Sequence, residues 1–311
     1  MDNSTVIGGN WTVGLDRPRG IAVFGTNTDS LIIADLWHHR VLGLWNVGTS
    51  YQNITVIATE WAPGQPLCLP YDMYIDLRHG YDLYVSDYCS GQVILYTNMQ
   101  TVNPPPRIVA GTYPHIGPLL QNLNVPYGIY VDSHRNVIVV SKDDRHIVFW
   151  SANATNGTVI AGLGVRSNTS MGLNDPSGMV VDEDTWFLYV ADANNHRIQR
   201  FSLNDTWPCN GTTVAGGNGP GIGSHQLNYP THVTISKKTK AMYIVDYGNH
   251  RIQRWQQDAK QGVTIAGDPN GNPGSDPTQL RNPIGLALNT NETQIYVTDR
   301  FNYRVQQFQI I

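Results

Sequence analysis

Apolar and polar positions alternate along this chain in runs of about four to seven residues, and no segment keeps the 3.6-residue apolar period of an amphipathic helix. GIAV (20–23), LIIAD (31–35), RVLGLW (40–45) and TVIAT (55–59) are four such runs, parted by turns rich in Gly, Asn, Asp and Pro. The pattern predicts short antiparallel strands. It also repeats. Segments 173–203, 227–255 and 280–308 are copies of one another, and weaker copies fill the remainder. Each unit opens on a proline: Pro18, Pro70, Pro126, Pro176, Pro230 and Pro283, spaced by 52, 56, 50, 54 and 53 residues. An aspartate ends the second strand at Asp35, Asp87, Asp192, Asp246 and Asp299, with Lys142 read at that place in the third unit and one residue missing before Ile147.

Four strands in each of six units predict an all-β, six-bladed β-propeller forming a single domain over residues 1–311. The repeats run over about 17–59, 67–111, 123–162, 173–217, 227–267 and 280–311 plus 5–9. The sixth unit holds only three strand signals. TVIGG (5–9) copies the fourth-strand signature TVIAG (158–162), so the N-terminal strand is expected to pair with the last blade and close the ring.

Composition agrees with strands and turns: 30 Gly, 18 Pro and 16 Tyr, with only 14% charged residues against 41% hydrophobic. That balance excludes a disordered chain, and no apolar run reaches the roughly 18 residues of a spanning helix, so no membrane insertion by this segment is expected. A net charge of -4 lacks the basic excess of a nucleic-acid binder.

The run P-x-G followed by V-x-D-x-x-N-H-R-I-Q, clearest at Asp192–Gln199 and Asp246–Gln253, resembles the NHL repeat. In the second unit Ser90-Gly91-Gln92 stands in place of N-H-R. His39, His146, His196 and His250 are assigned one repeat position, and Arg40, Arg197, Arg251 and Arg304 the next. Their recurrence marks them as scaffold, the aspartate capping turn amides and meeting the arginine fork, and no cofactor or metal is expected.

Function is expected where repeats differ, at the loop-rich face carrying the loops before each proline and the second-to-third-strand turns. The candidate ligand-binding residues there are Arg19, Trp37, Tyr71, Tyr88, Tyr127, Tyr247, Arg300 and Phe301, an aromatic mouth with cationic anchors suited to a protein, peptide or glycan ligand. A non-catalytic binding or scaffold role is the leading expectation.

The second unit is also similar to a blade of the peptidyl-hydroxyglycine amidating lyase. The resemblance implies a disulfide at Cys68 and Cys89, a catalytic tyrosine at Tyr88 and a family arginine at Arg300. It further implies zinc-binding histidines directly after three opening prolines, where this chain has Arg19, Tyr127 and Thr231, with His232 one residue out of place. A lactonase-like hydrolase needs converging carboxylates, yet Glu60, Glu183 and Glu292 are the only glutamates. A metal-dependent propeller enzyme is therefore the alternative rather than the leading reading. RNA binding ranks lower, because Asp72, Asp143 and Asp144 offset Arg19, Lys142 and Arg145 at the rim. The Gly-rich stretches 216–224 and 267–277 read as flexible rim loops.

Nine N-x-S/T sequons begin at Asn3, Asn10, Asn53, Asn153, Asn156, Asn168, Asn204, Asn210 and Asn291, where chance predicts roughly three. Together with a possible Cys68–Cys89 staple that leaves Cys209 over, they suggest an extracellular glycoprotein, part of a longer chain in the secretory pathway. Three free buried thiols in a cytoplasmic protein is the alternative. All but Asn10 and Asn168 are assigned to the face opposite the mouth.

Overall fold

A computed structural model describes residues 5–7, 14–50, 52–99, 105–112 and 121–310. Six four-stranded antiparallel sheets follow one another along the chain. The fourth blade is representative: Pro176–Asp182, Phe187–Asp192, Arg197–Ser202 and Gly211–Gly216 pair in sequential order. Alternate residues of each sheet enter apolar layers shared with the next blade, as where Phe24, Ile32 and Val41 pack on Met73, Leu83 and Ile94. The first strands stand side by side around the axis, and the first blade's returns to the last blade's. The Thr298 hydroxyl donates to the Arg19 carbonyl at 2.7 Å, and Tyr296 to the Asp29 carboxylate at 2.6 Å, across that junction.

Close approach at the axis requires small residues. A Cβ on Gly285 would lie 2.3 Å from the Arg19 carbonyl oxygen, and one on Gly128 would lie 2.9 Å from the Ser177 carbonyl oxygen. Thr5–Ile7 runs antiparallel to Arg304–Gln309, with Thr5 opposite Gln307 and Ile7 opposite Val305, as the fourth strand of the sixth sheet. Gly8, Gly9 and the sequons at Asn3 and Asn10 lie outside the described residues.

The repeated polar motif clasps each blade to the loop leading into it. Asp192 accepts the Asn174 amide (2.7 Å), the Asn195 side chain (2.8 Å) and Arg197 Nε (2.7 Å). The guanidinium of Arg197 then donates to the carbonyls of Asn168, Thr169 and Gly172 in the preceding loop. Arg251 and Arg304 repeat this on the loops at 216–224 and 267–277, holding Ile222, Gly223, Ser275 and Asp276. Those glycine-rich stretches are therefore anchored, not loose rim loops. The histidines reach forward: His196 Nδ1 accepts the Tyr229 amide and His250 Nδ1 the Asn282 amide of the following blade.

The third blade corrects the assigned register. Ser141 pairs with His146 as Asp192 pairs with Arg197, so Ser141 holds the aspartate position and no residue is missing. His146 thus occupies the arginine position and leaves the histidine series, where Arg145 stands instead, sharing the left-handed φ of 56° with His196 at 53°. The Ser141 hydroxyl accepts the Asn124 amide at 2.9 Å and donates to Asp144 at 2.7 Å.

Candidate functional site

The residues after the opening prolines ring one end of the axis, as the strand pattern requires. Arg19, Tyr71, Tyr127, Ser177, Thr231 and Ile284 line a narrow cavity of about 20 Å³, with Gly20, Asp72, Gly128, Gly178, His232 and Gly285 one step deeper. Two aromatic and cationic clusters stand at this mouth. In the first, the Arg19 guanidinium lies 3.8 Å from the Tyr71 ring centre and 4.5 Å from that of Tyr127, whose centres are 4.3 Å apart. Tyr88 stacks on Tyr71 at 5.0 Å. In the second, Arg300 lies over Phe301 at 5.0 Å, while Arg17 lies over Trp37 at 4.6 Å and Phe301 at 5.6 Å. Tyr247 packs on Tyr229 at 5.9 Å.

Four of the eight nominated residues, Arg19, Tyr71, Tyr88 and Tyr127, thus form one contact group, and Trp37, Arg300 and Phe301 a second. Tyr247 belongs to a third group. Sequence reasoning passed over the residue preceding each proline. Arg17, Asp175 and Tyr229 occupy that place and face the mouth, and with Leu69, Val125 and Asn282 they share a φ between 51° and 61°. The proline series itself was the signal, since a fixed offset from it gives these residues a common direction. Tyr229 donates to Asp175, which also takes Lys142 at 2.6 Å.

Deeper in the axis, burial pushes the Asp72 carboxyl above its ordinary value, against the pull of His232 and the Met73 and Ile129 amides. Burial pushes His232 down, against the pull of Asp72. Burial, followed by the positive charge of Arg19, likewise holds Arg300 below its ordinary value. Burial raises the Tyr127 hydroxyl despite Arg19. Among the described residues, no group of three or more His, Cys, Asp or Glu side chains is placed to hold a metal. The Arg19 guanidinium projects over the mouth, where it would repel a cation, so the side chains there do not fit a zinc centre. The glutamates Glu183 and Glu292 serve structure: Glu183 accepts Tyr130 at 2.7 Å, and Glu292 accepts the Lys237 amide and the Ser236 hydroxyl.

Cys68 and Cys89 form a disulfide with a Cα separation of 5.4 Å, and Cys209 is a buried free thiol. The disulfide joins the two segments that the aspartate and arginine join elsewhere, in the blade where Gln92 replaces the arginine.

A family model described as the NHL repeat matches residues 173–201. The chain is 30% identical over 176 residues to NHL repeat-containing protein 2 of Homo sapiens, covering 49% of this chain and 24% of that protein. It is 27% identical over 204 residues to the peptidylglycine alpha-amidating monooxygenase of Rattus norvegicus, covering 58% and 20%. The chain thus spans about a quarter or less of these relatives' lengths. Among solved structures, a chain of a nidogen/laminin complex is similar with a TM-score of 0.58 and 18% identity, covering 79% of this chain and 78% of that one.

Proposed function

From an NHL-repeat propeller with this mouth, we propose that the chain is a non-catalytic binding module whose loop-rich face engages an extracellular protein or peptide. The observation that carries the reading is the convergence of Arg19, Tyr71, Tyr88 and Tyr127 on one end of the axis. Tight binding sites concentrate their energy in such aromatic and arginine anchors. The test is to probe peptide and glycan arrays with the purified protein and with a variant altered at Arg19, Tyr88, Tyr127 and Arg300 together. The wild type should bind a discrete set that the folded variant does not. Retention of that set would move the site elsewhere.

Secretion and glycosylation belong to the same proposal. All seven sequon asparagines among the described residues are exposed, and so are the Ser or Thr residues that complete them. Asn153, Asn156, Asn204 and Asn210 lie between third and fourth strands, Asn53 opens a fourth strand and Asn291 lies between a first and a second strand. These positions lie away from the mouth. Mass spectrometry of the protein from a secreting host should find sugars at these six, and an even spread onto the mouth loops would contradict the arrangement.

Similarity to the amidating monooxygenase favours a catalytic second reading, in which Tyr88 and Arg300 would act on substrate. Stoichiometric zinc or calcium in purified protein, with activity lost on chelation, would establish it.

A further inference from the structure

Six of the fifteen arginines of this propeller are held by carboxylates. Arg40, Arg78, Arg135, Arg197, Arg251 and Arg304 each meet a carboxylate within 3.0 Å. Arg17, Arg19 and Arg300, in the mouth clusters, are among those that make no ion pair among the described residues. Arg19 is only 8% exposed, and Arg300 Nε is shielded from solvent with no hydrogen-bond partner. Nearby acids make no direct bond to them: Asp175 takes Lys142 and Tyr229, Asp144 takes Ser141, and Asp72, though it feels the charge of Arg19, takes the Ile129 amide. Desolvated guanidinium groups without a direct ion-pair partner are costly, and an arriving anion would supply that partner.

The aromatic rings narrow the choice of anion. Tyr71 is already covered by Tyr88, Tyr127 and Arg19, and Arg17 lies over Trp37. Of these rings, the Tyr71 face is spent holding Arg19, whereas Trp37 stays half exposed beside Arg17. The cavity beneath is about 20 Å³, the size of a water molecule, so a ligand would be met by the guanidinium groups at its rim. We infer that the mouth is a carboxylate receptor for an acidic protein segment, with Arg19 and Arg300 as the paired donors and Arg17 at the rim. Both guanidinium groups offer the planar fork that grips a carboxylate through two parallel hydrogen bonds.

This inference rests on the mouth being the contact surface, and its test is chosen to fail separately. The probes are a fluorescein-labelled twelve-residue peptide alternating Glu and Tyr, its counterpart with Gln for Glu, and polysialic acid. Fluorescence anisotropy should show the Glu peptide binding at least about tenfold more tightly than the Gln peptide, a difference that narrows as salt is raised. Arg19→Met and Arg300→Met should each weaken the Glu peptide by at least about tenfold, whereas Arg200→Met, outside the mouth, leaves it unchanged. The Glu-to-Gln comparison uses wild-type protein, so it reads the site even where a substitution unfolds it. Equal binding of the two peptides would overturn the inference. If binding nonetheless required Tyr88 and Tyr127, the mouth would stand as a contact surface without a carboxylate receptor. Arginine-dependent capture of polysialic acid with no capture of the Glu peptide would overturn the assignment to an acidic protein segment.

Discussion

Asp87 offers the sharpest quantitative test of how the blades are clasped. It is fully buried and holds the Cys68 amide at 3.0 Å, but Gln92 faces it where other blades present arginine. Burial without a cation pushes its carboxyl from 3.8 up to about 6, even with the Cys68, Ser90 and Cys89 amides pulling the other way. Because the folded value exceeds the unfolded one, the stability associated with this group is complete below about pH 4. It declines as pH rises through about 6. The gap between the two values corresponds to about 3 kcal/mol at neutral pH. Asp87→Asn keeps an acceptor for the Cys68 amide, removes the charge, and places a donor opposite Gln92, whose Oε1 has no partner. Urea unfolding of both proteins with the disulfide intact should therefore give equal stability near pH 4. At pH 8 the variant should be the more stable by up to about 3 kcal/mol. A difference that does not vary with pH, or a variant less stable than wild type at pH 8, would refute the reasoning.

Asp192→Ala strands the buried Arg197 and should cost about 3–5 kcal/mol, seen as a fall in Tm on the order of 10 °C. Ser141→Ala, at the same place in the third blade, strands no charge there and should cost about 1 kcal/mol by the same melting measurement. Gly285→Ala forces a methyl group against the Arg19 carbonyl and should destabilise by about 1–3 kcal/mol in chemical unfolding, whereas Gly48→Ala has open space around it. Gly48 has a φ of 76°, so its change tests backbone conformation rather than crowding. Deleting residues 1–7 uncovers the edge of Arg304–Gln309 and should promote self-association in sedimentation experiments, and an unchanged monomer would show that this pairing does not lock the ring.

Much of the fold was legible because one strand pattern was written six times, so the Pro and Asp series located the blades before any contact was known. The third blade resisted for a definite reason. Ser141 replaces the aspartate and His146 the arginine, and alignment by residue type slid one position where alignment by strand pairing does not. At the mouth, the sequence identified Arg19, Tyr71, Tyr88 and Tyr127 because repeat position determines which end of a strand a residue occupies. It could not show that Tyr71 and Tyr127 flank the Arg19 guanidinium, since that depends on side-chain direction across neighbouring blades. Arg17 was missed by looking only after each proline.

The disulfide of the second blade gives the ring an uneven dependence on its surroundings. Three other blades fasten their lead-in segments with buried arginine–aspartate pairs that hold equally well in a reducing or an oxidising compartment. Cys68–Cys89 fastens the same place only where thiols stay oxidised. One sector of the torus would therefore register a passage between compartments while its neighbours did not, and that sector carries Tyr71, against which Arg19 leans, and Tyr88 stacked behind it.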